Sequence, residues 1–267
     1  MTLPSFLLEL GAGLLACLFF MLLVYIWAVK KSFYSSVDVA WSYGFGIIAV
    51  FYMLTHDGWT PRVMLLGGMF LLWSLRLGTY LTIRLKKHFP TEDGRYITLR
   101  EKWGTKFFGP FFIFFAAQAA SVAILATPMV FTALNPKVGF GIFEIAGVLI
   151  WIVGWVGEST SDAQLAQFKK NPANKGKVCD VGLWNYSRHP NYFFNWCMWV
   201  SYFTFALSAP YGWITIYCPL IMLFLFFKIT GIPATEAQAL KSKGEAYKKY
   251  QDTTSVFVPW FKKNVSS

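Results

Sequence analysis

Seven runs of apolar sequence, near residues 3–29, 39–54, 63–85, 107–131, 139–164, 192–207 and 213–229, leave little room for a water-soluble fold. Most reach the roughly 20 residues that a helix needs to cross a bilayer, the second and sixth being short. Composition agrees, with 56% hydrophobic and 19% aromatic residues against only 14% charged, far from a soluble average. The expected architecture is all-α: a polytopic membrane protein of seven transmembrane helices forming a single domain over residues 1–267.

Charge sets the expected orientation. The net charge of +11 falls in alternate loops: Lys30 and Lys31, then Arg84 to Lys106, then Lys169 to Arg188, then a tail rich in Lys. The opposite loops hold only Arg62 and Lys137, so the positive-inside rule places the N-terminus outside and the C-terminus in the cytoplasm. The first run starts near Met1 without a basic leader or small-residue cleavage signal and reads as a retained span. No nucleic-acid-binding signature accompanies the cations. The four Cys and three His do not fall at metal-ligand spacings, so no metal is expected.

No repeat or long linker divides the chain, and the tail, residues 230–267, is its one appendage. Glu236 to Tyr250 has helical apolar spacing broken at Gly244 and is expected to fold back over the cytoplasmic mouth. Gly11-Ala12-Gly13-Leu14-Leu15-Ala16 superficially fits a dinucleotide fingerprint, but no strand precedes it, so close helix packing is the better account. Gly154 and Gly157 read the same way.

Three constellations stand out. Arg76, Tyr80, Arg84 and Lys87 follow i, i+4, i+8, i+11 and share one face of the third span. Arg84 and Lys87 at its end have the reach to snorkel, whereas Arg76 lies deep enough to need an anion or a cavity. In the fifth span Glu158, Asp162 and Lys169 repeat the i+4 and i+11 spacing, either as an interhelical ion pair or as acceptors for a ligand in a water-poor site. Ser35, Ser36 or Asp38 opens the second span as a helix cap, or Asp38 acts on a substrate carbonyl. The segment Gly182 to Tyr192 then concentrates Arg188, His189, Asn191 and Tyr192 at the mouth of an apolar helix, the first place to look for a site.

Leu183-Trp184-x-x-Ser187-Arg188-His189-Pro190-Asn191-Tyr192, followed by Gly231-Ile232-Pro233-x-x-Glu236 and Lys243-Gly244-Glu245-x-Tyr247-x-x-Tyr250, resembles the membrane steroid 5α-reductase family in its bacterial branch. The resemblance covers nearly the whole chain and is most specific in the C-terminal third. It implies an NADPH-dependent reduction of the C4–C5 double bond of a 3-oxo-Δ4 steroid or a related lipid enone. Its cofactor positions carry over to Arg84, Lys87, Asp162, Lys169 and Asn191. Arg76, Lys177, Trp184, Arg188, His189, Tyr192, Asn195, Glu236, Tyr247 and Tyr250 are further candidates, Asn195 standing where human members have a glutamate.

Hydride delivery to the enone β-carbon requires an acid at the ketone oxygen. The family's human members use a glutamate in span two and a tyrosine in span three. This chain has no glutamate in span two, and Trp73 lies near the tyrosine position, so Asp38 and Tyr80 are the catalytic candidates, with Trp41, Tyr43 and Trp73 lining the substrate side. The expected partners are a lipophilic small molecule and membrane lipid, with no obligate protein partner. The rival is an S-adenosylmethionine-dependent membrane methyltransferase of the isoprenylcysteine or phospholipid type, whose cofactor site resembles the same His-Pro, tyrosine and tail-glutamate pattern but whose methyl donor carries no phosphates.

Overall fold

The computed structural model describes residues 2–229 and 231–263. It is all-α, with no strand among the described residues, in the order α1 (Leu3–Lys31), α2 (Ser36–Thr55), α3 (Thr60–His88), α4 (Gly94–Trp103), α5 (Phe108–Leu125), α6 (Thr127–Ala133), α7 (Ile142–Lys170), α8 (Pro190–Ala206), α9 (Tyr217–Phe224), α10 (Ile232–Lys243) and α11 (Glu245–Thr253). Among the described residues, six segments are long and apolar enough to cross a membrane: α1, α2, α3, α5, α7 and the composite Gly212–Lys243. The chain thus has the build of an integral membrane protein. The run near 192–207 becomes α8, whose 17 residues span about 26 Å at 1.5 Å per residue, short of the roughly 30 Å hydrocarbon core.

Two other runs are subdivided. The run near 107–131 breaks at Ala126 into α5 and α6, because Pro128 offers no backbone N–H and opens a new helix. The run near 213–229 comprises a 3₁₀ turn, Gly212–Ile216, then α9, then a π-helical turn, Leu225–Ile229.

The chain forms two compact units, Met1–Gly141 with Ala206–Gly212, and Ile142–Phe205 with Trp213–Ser267. In the first, α2 packs along α3 and α1, and α1 also lies on α5. Gly13 is where α1 meets α2, since any Cβ there would strike the Tyr52 hydroxyl, whereas Gly11 faces open space. At one end Arg62, almost fully buried, donates to the carbonyls of Lys137 and Gly139 at 2.5 Å each and lies over the Trp59 ring. It ties the loop after α6 in place.

At the other end, none of Ser35, Ser36 and Asp38 caps α2. Glu92 does so from the segment after α3, accepting from the Tyr34 N–H at 2.5 Å, the Ser35 N–H at 3.0 Å and the Ser35 hydroxyl. A carboxylate suits this place because the Tyr34 and Ser35 N–H groups just precede the helix, whose N-terminus carries partial positive charge. Glu92→Ala should therefore cost about 1–2 kcal/mol, seen as a lowered melting temperature in detergent. An unchanged melting curve would show that solvent caps α2 equally well.

In the second unit α7 and α8 approach across glycines. A Cβ at Gly147, Gly154 or Gly157 would run into Phe205, Met198 or Phe194 of α8 respectively, so small residues at i, i+7 and i+10 bring the backbones together, as membrane helix pairs do. The tail folds as two helices jointed at Gly244, whose φ of +54° is a conformation few other residues tolerate.

Candidate functional site

The polar residues of the second unit gather around the loop that enters α8. Arg188 is its centre. Its Nε donates to Glu236 Oε1 of α10 at 2.6 Å, and its Nη1 donates to the carbonyls of Gln251 and Thr254 at 2.7 Å each. Its own backbone N–H reaches the Ser255 carbonyl at 2.8 Å. Glu236 also lies 3.3 Å from His189 Nε2 and accepts from Gln251 Nε2 at 2.9 Å. Arg188 and Glu236 are mostly buried, with side chains 11% and 15% exposed, so this ion pair sits where opposite charges hold each other firmly.

Around that pair the backbone is pinned by side chains. The Tyr250 hydroxyl donates to the carbonyls of Trp184 and Ser187, Trp184 Nε1 to Ser161 O at 2.9 Å, and Ser187 Oγ to Phe257 O at 2.7 Å. Burial, with the neighbouring Tyr247 second, raises the Tyr250 phenol and keeps it a donor. Trp184, Arg188 and Tyr250, expected as cofactor contacts, thus have these polar groups bound within the protein, where they shape the loop.

A layer deeper, Asn191 Nδ2 points to Asp162 Oδ1 at 3.4 Å, and Asn195 Nδ2 donates to Glu158 Oε1 at 3.1 Å. The two pairs repeat one helical turn apart because 158/162 on α7 and 191/195 on α8 both have i, i+4 spacing. His189 stacks on Tyr192 with ring centres 5.4 Å apart, and Tyr192 on Phe226 at 5.1 Å. Tyr247 is buried beneath Lys243 Nζ, 5.7 Å from its ring centre; burial, then the Glu236 charge, pushes its phenol up to about 12.

Cations converge at the same end. The Cys179 thiol is raised by burial, yet both Lys243 of α10 and Lys169 of α7 pull it down, so both ammonium groups lie within electrostatic reach of one loop. Asp180 beside it is paired with Lys262 at 3.6 Å. Lys169 and Lys177 are exposed and have no carboxylate partner among the described residues.

The first unit holds the remaining candidates. Asp38 accepts from the Tyr96 hydroxyl and from Arg95 Nη2, each at 2.8 Å. Burial, then the Asp38 charge, raises the Tyr96 phenol, so the proton of that bond stays on Tyr96. Neither Tyr96 nor Arg95 was expected, and nothing local in the sequence marks a partner 58 residues away.

The expected substrate side does not form one surface. Trp41 donates from Nε1 to Ser121 at 2.9 Å and meets the fully buried Trp73 edge-on. Tyr43 lies elsewhere, its hydroxyl 3.5 Å from those of Thr79 and Thr82, because residues two apart on a helix face different neighbours. Tyr80 is 57% exposed, Arg84 and Lys87 are exposed, and Arg76 is half-buried.

An apolar helical body with ionisable groups grouped at helix ends defines a multi-pass membrane protein with a polar site at its rim. Residues 24–254 match the model of DUF1295, a family described as proteins of unknown function, and the chain belongs to that family. An uncharacterized protein of Schizosaccharomyces pombe is 27% identical over 254 residues, covering 84% of this chain and 72% of its own length. A probable O-methyltransferase of Ustilaginoidea virens is 48% identical over 46 residues, 17% of this chain and 16% of its own. No solved structure matches.

Proposed function

We propose that this protein is an NADPH-dependent membrane reductase acting on the carbon–carbon double bond of a lipid enone, such as a 3-oxo-Δ4 steroid, with its cofactor site facing the cytoplasm. The observation that carries this reading is the convergence of Lys169 and Lys243 on one loop whose nearby carboxylate, Asp180, is already paired. Like charges held together without an acid repel, and a ligand bearing several phosphates relieves that repulsion. The donor set fits NADPH: Lys169, Lys177 and Lys243 for phosphate, the Asn191–Asp162 and Asn195–Glu158 pairs for ribose and carboxamide, and Tyr192 as a stacking surface. When bound, NADPH supplies the hydride. In this reading Arg188 and Glu236 fix the loop that presents Asn191 and Tyr192.

A methyltransferase is the second reading. It is favoured by the name of the Ustilaginoidea virens relative and by the commitment of Arg188 to internal partners, which removes one cation from the phosphate set. Thermal protection of the detergent-purified protein by NADPH, NADH and S-adenosylmethionine separates the two. Protection by NADPH well beyond NADH is expected; protection by the methyl donor alone would replace the reductase reading with its rival.

A further inference from the structure

Within the first unit, a cleft of about 430 Å³ runs between α1 and α3, with α2 as its floor. That volume lies in the range of small-molecule sites, ~300–1,000 Å³. Its walls are apolar, from Phe20 and Val24 on α1 to Ala40 on α2 and Leu85 on α3. Tyr43 lines it and packs against Gly78 of α3, where any Cβ would collide with the Tyr43 ring. At one end the rim is aromatic, Trp27 edge-on to Phe33 and Phe33 edge-on to Phe89 at 5.1 Å, with Lys86 lining the mouth.

Charge at that end is unbalanced. Lys30 and Lys31 close α1, Lys86 and Lys87 lie in the last turns of α3, and none of the four has an ion-pair partner among the described residues. Three carboxylates of this end are engaged elsewhere: Glu92 caps α2, Asp38 holds Tyr96 and Arg95, and Asp93 also holds Arg95. An apolar slot with an aromatic rim and a cluster of uncompensated ammonium groups complements an amphiphile whose head is anionic.

The geometry points to a binding site for an anionic phospholipid in this cleft, an acyl chain lying between α1 and α3 and the phosphate held by Lys86 and its neighbours. The assignment does not depend on the reductase reading. Its occupant is a membrane component, drawn from the leaflet that meets the basic end.

The test uses the full chain, delipidated in detergent, and follows its melting temperature against added dioleoylphosphatidylglycerol, dioleoylphosphatidylcholine or inorganic phosphate. Phosphatidylglycerol is expected to stabilise saturably, and the other two not. Lys86→Glu, on an exposed position, should weaken the response about tenfold; Val24→Trp, which fills the slot, should abolish it. Equal protection by phosphatidylcholine would remove the charge argument, and equal protection by phosphate would make the site one for a free anion. An unaltered response in Lys86→Glu would overturn the proposal even if Val24→Trp did not fold.

Discussion

Replacing Glu236 with Ala is expected to lower the detergent melting temperature on the order of 10 °C, from the ~3–5 kcal/mol lost when one partner of a buried ion pair is removed. The loss is large because three donors converge on this carboxylate: Arg188 at 2.6 Å, Gln251 at 2.9 Å and His189 at 3.3 Å. Arg188 would then be a mostly buried cation facing only carbonyls. Arg188→Ala should destabilise comparably through the freed Gln251 and Thr254 carbonyls, and the double variant should cost less than the sum, since the second substitution removes a charge already orphaned. Additive losses in that cycle would show that the two charges do not interact.

Reversing Lys169 and Lys243 together to Glu should weaken NADPH binding at least ~100-fold, two charge-assisted contacts at ~1.5–3 kcal/mol each. Fold stability should hold, because Lys169 is exposed and the reversal exchanges one like-charge pair for another. Binding is read by the cofactor-dependent shift in melting temperature, with S-adenosylmethionine run alongside. Intact NADPH protection in the reversed variant would place the phosphates elsewhere and leave these lysines as headgroup anchors. A loss confined to NADPH separates a phosphate role from general damage.

Hydropathy was enough to find the apolar segments, since burying a helix in lipid requires a run of nonpolar side chains and little else. It carried less about where helices break. The run near 107–131 read as one span although Pro128 lies at the α5/α6 boundary, and the π turn at Leu225–Ile229 has no residue-level signature. Gly244 was readable as a joint because its positive φ is a property of the residue itself.

Contacts between distant segments were a different matter. Within the motif Arg188-His189-Pro190-Asn191-Tyr192, Arg188 suggested a phosphate ligand by its charge, yet it is bonded to Glu236, 48 residues on. Asp38 stood out as an acid in an apolar helix, but Tyr96 and Arg95 lie on α4, which a single sequence gives no reason to bring beside it. Ser35 offered a local cap to α2, and Glu92 took its place because a carboxylate accepts two N–H groups at once.

The tail's attachment has a consequence for biosynthesis. Arg188 is translated well before the carbonyls of Gln251, Thr254 and Ser255 that it engages, so the entrance to α8 stays unfinished until residue 255 has left the ribosome. Insertion of α7 and α8 must therefore precede locking of the second unit. In that interval, a nascent chain carrying an unsatisfied guanidinium beside a half-built loop is the species that quality-control proteases would meet.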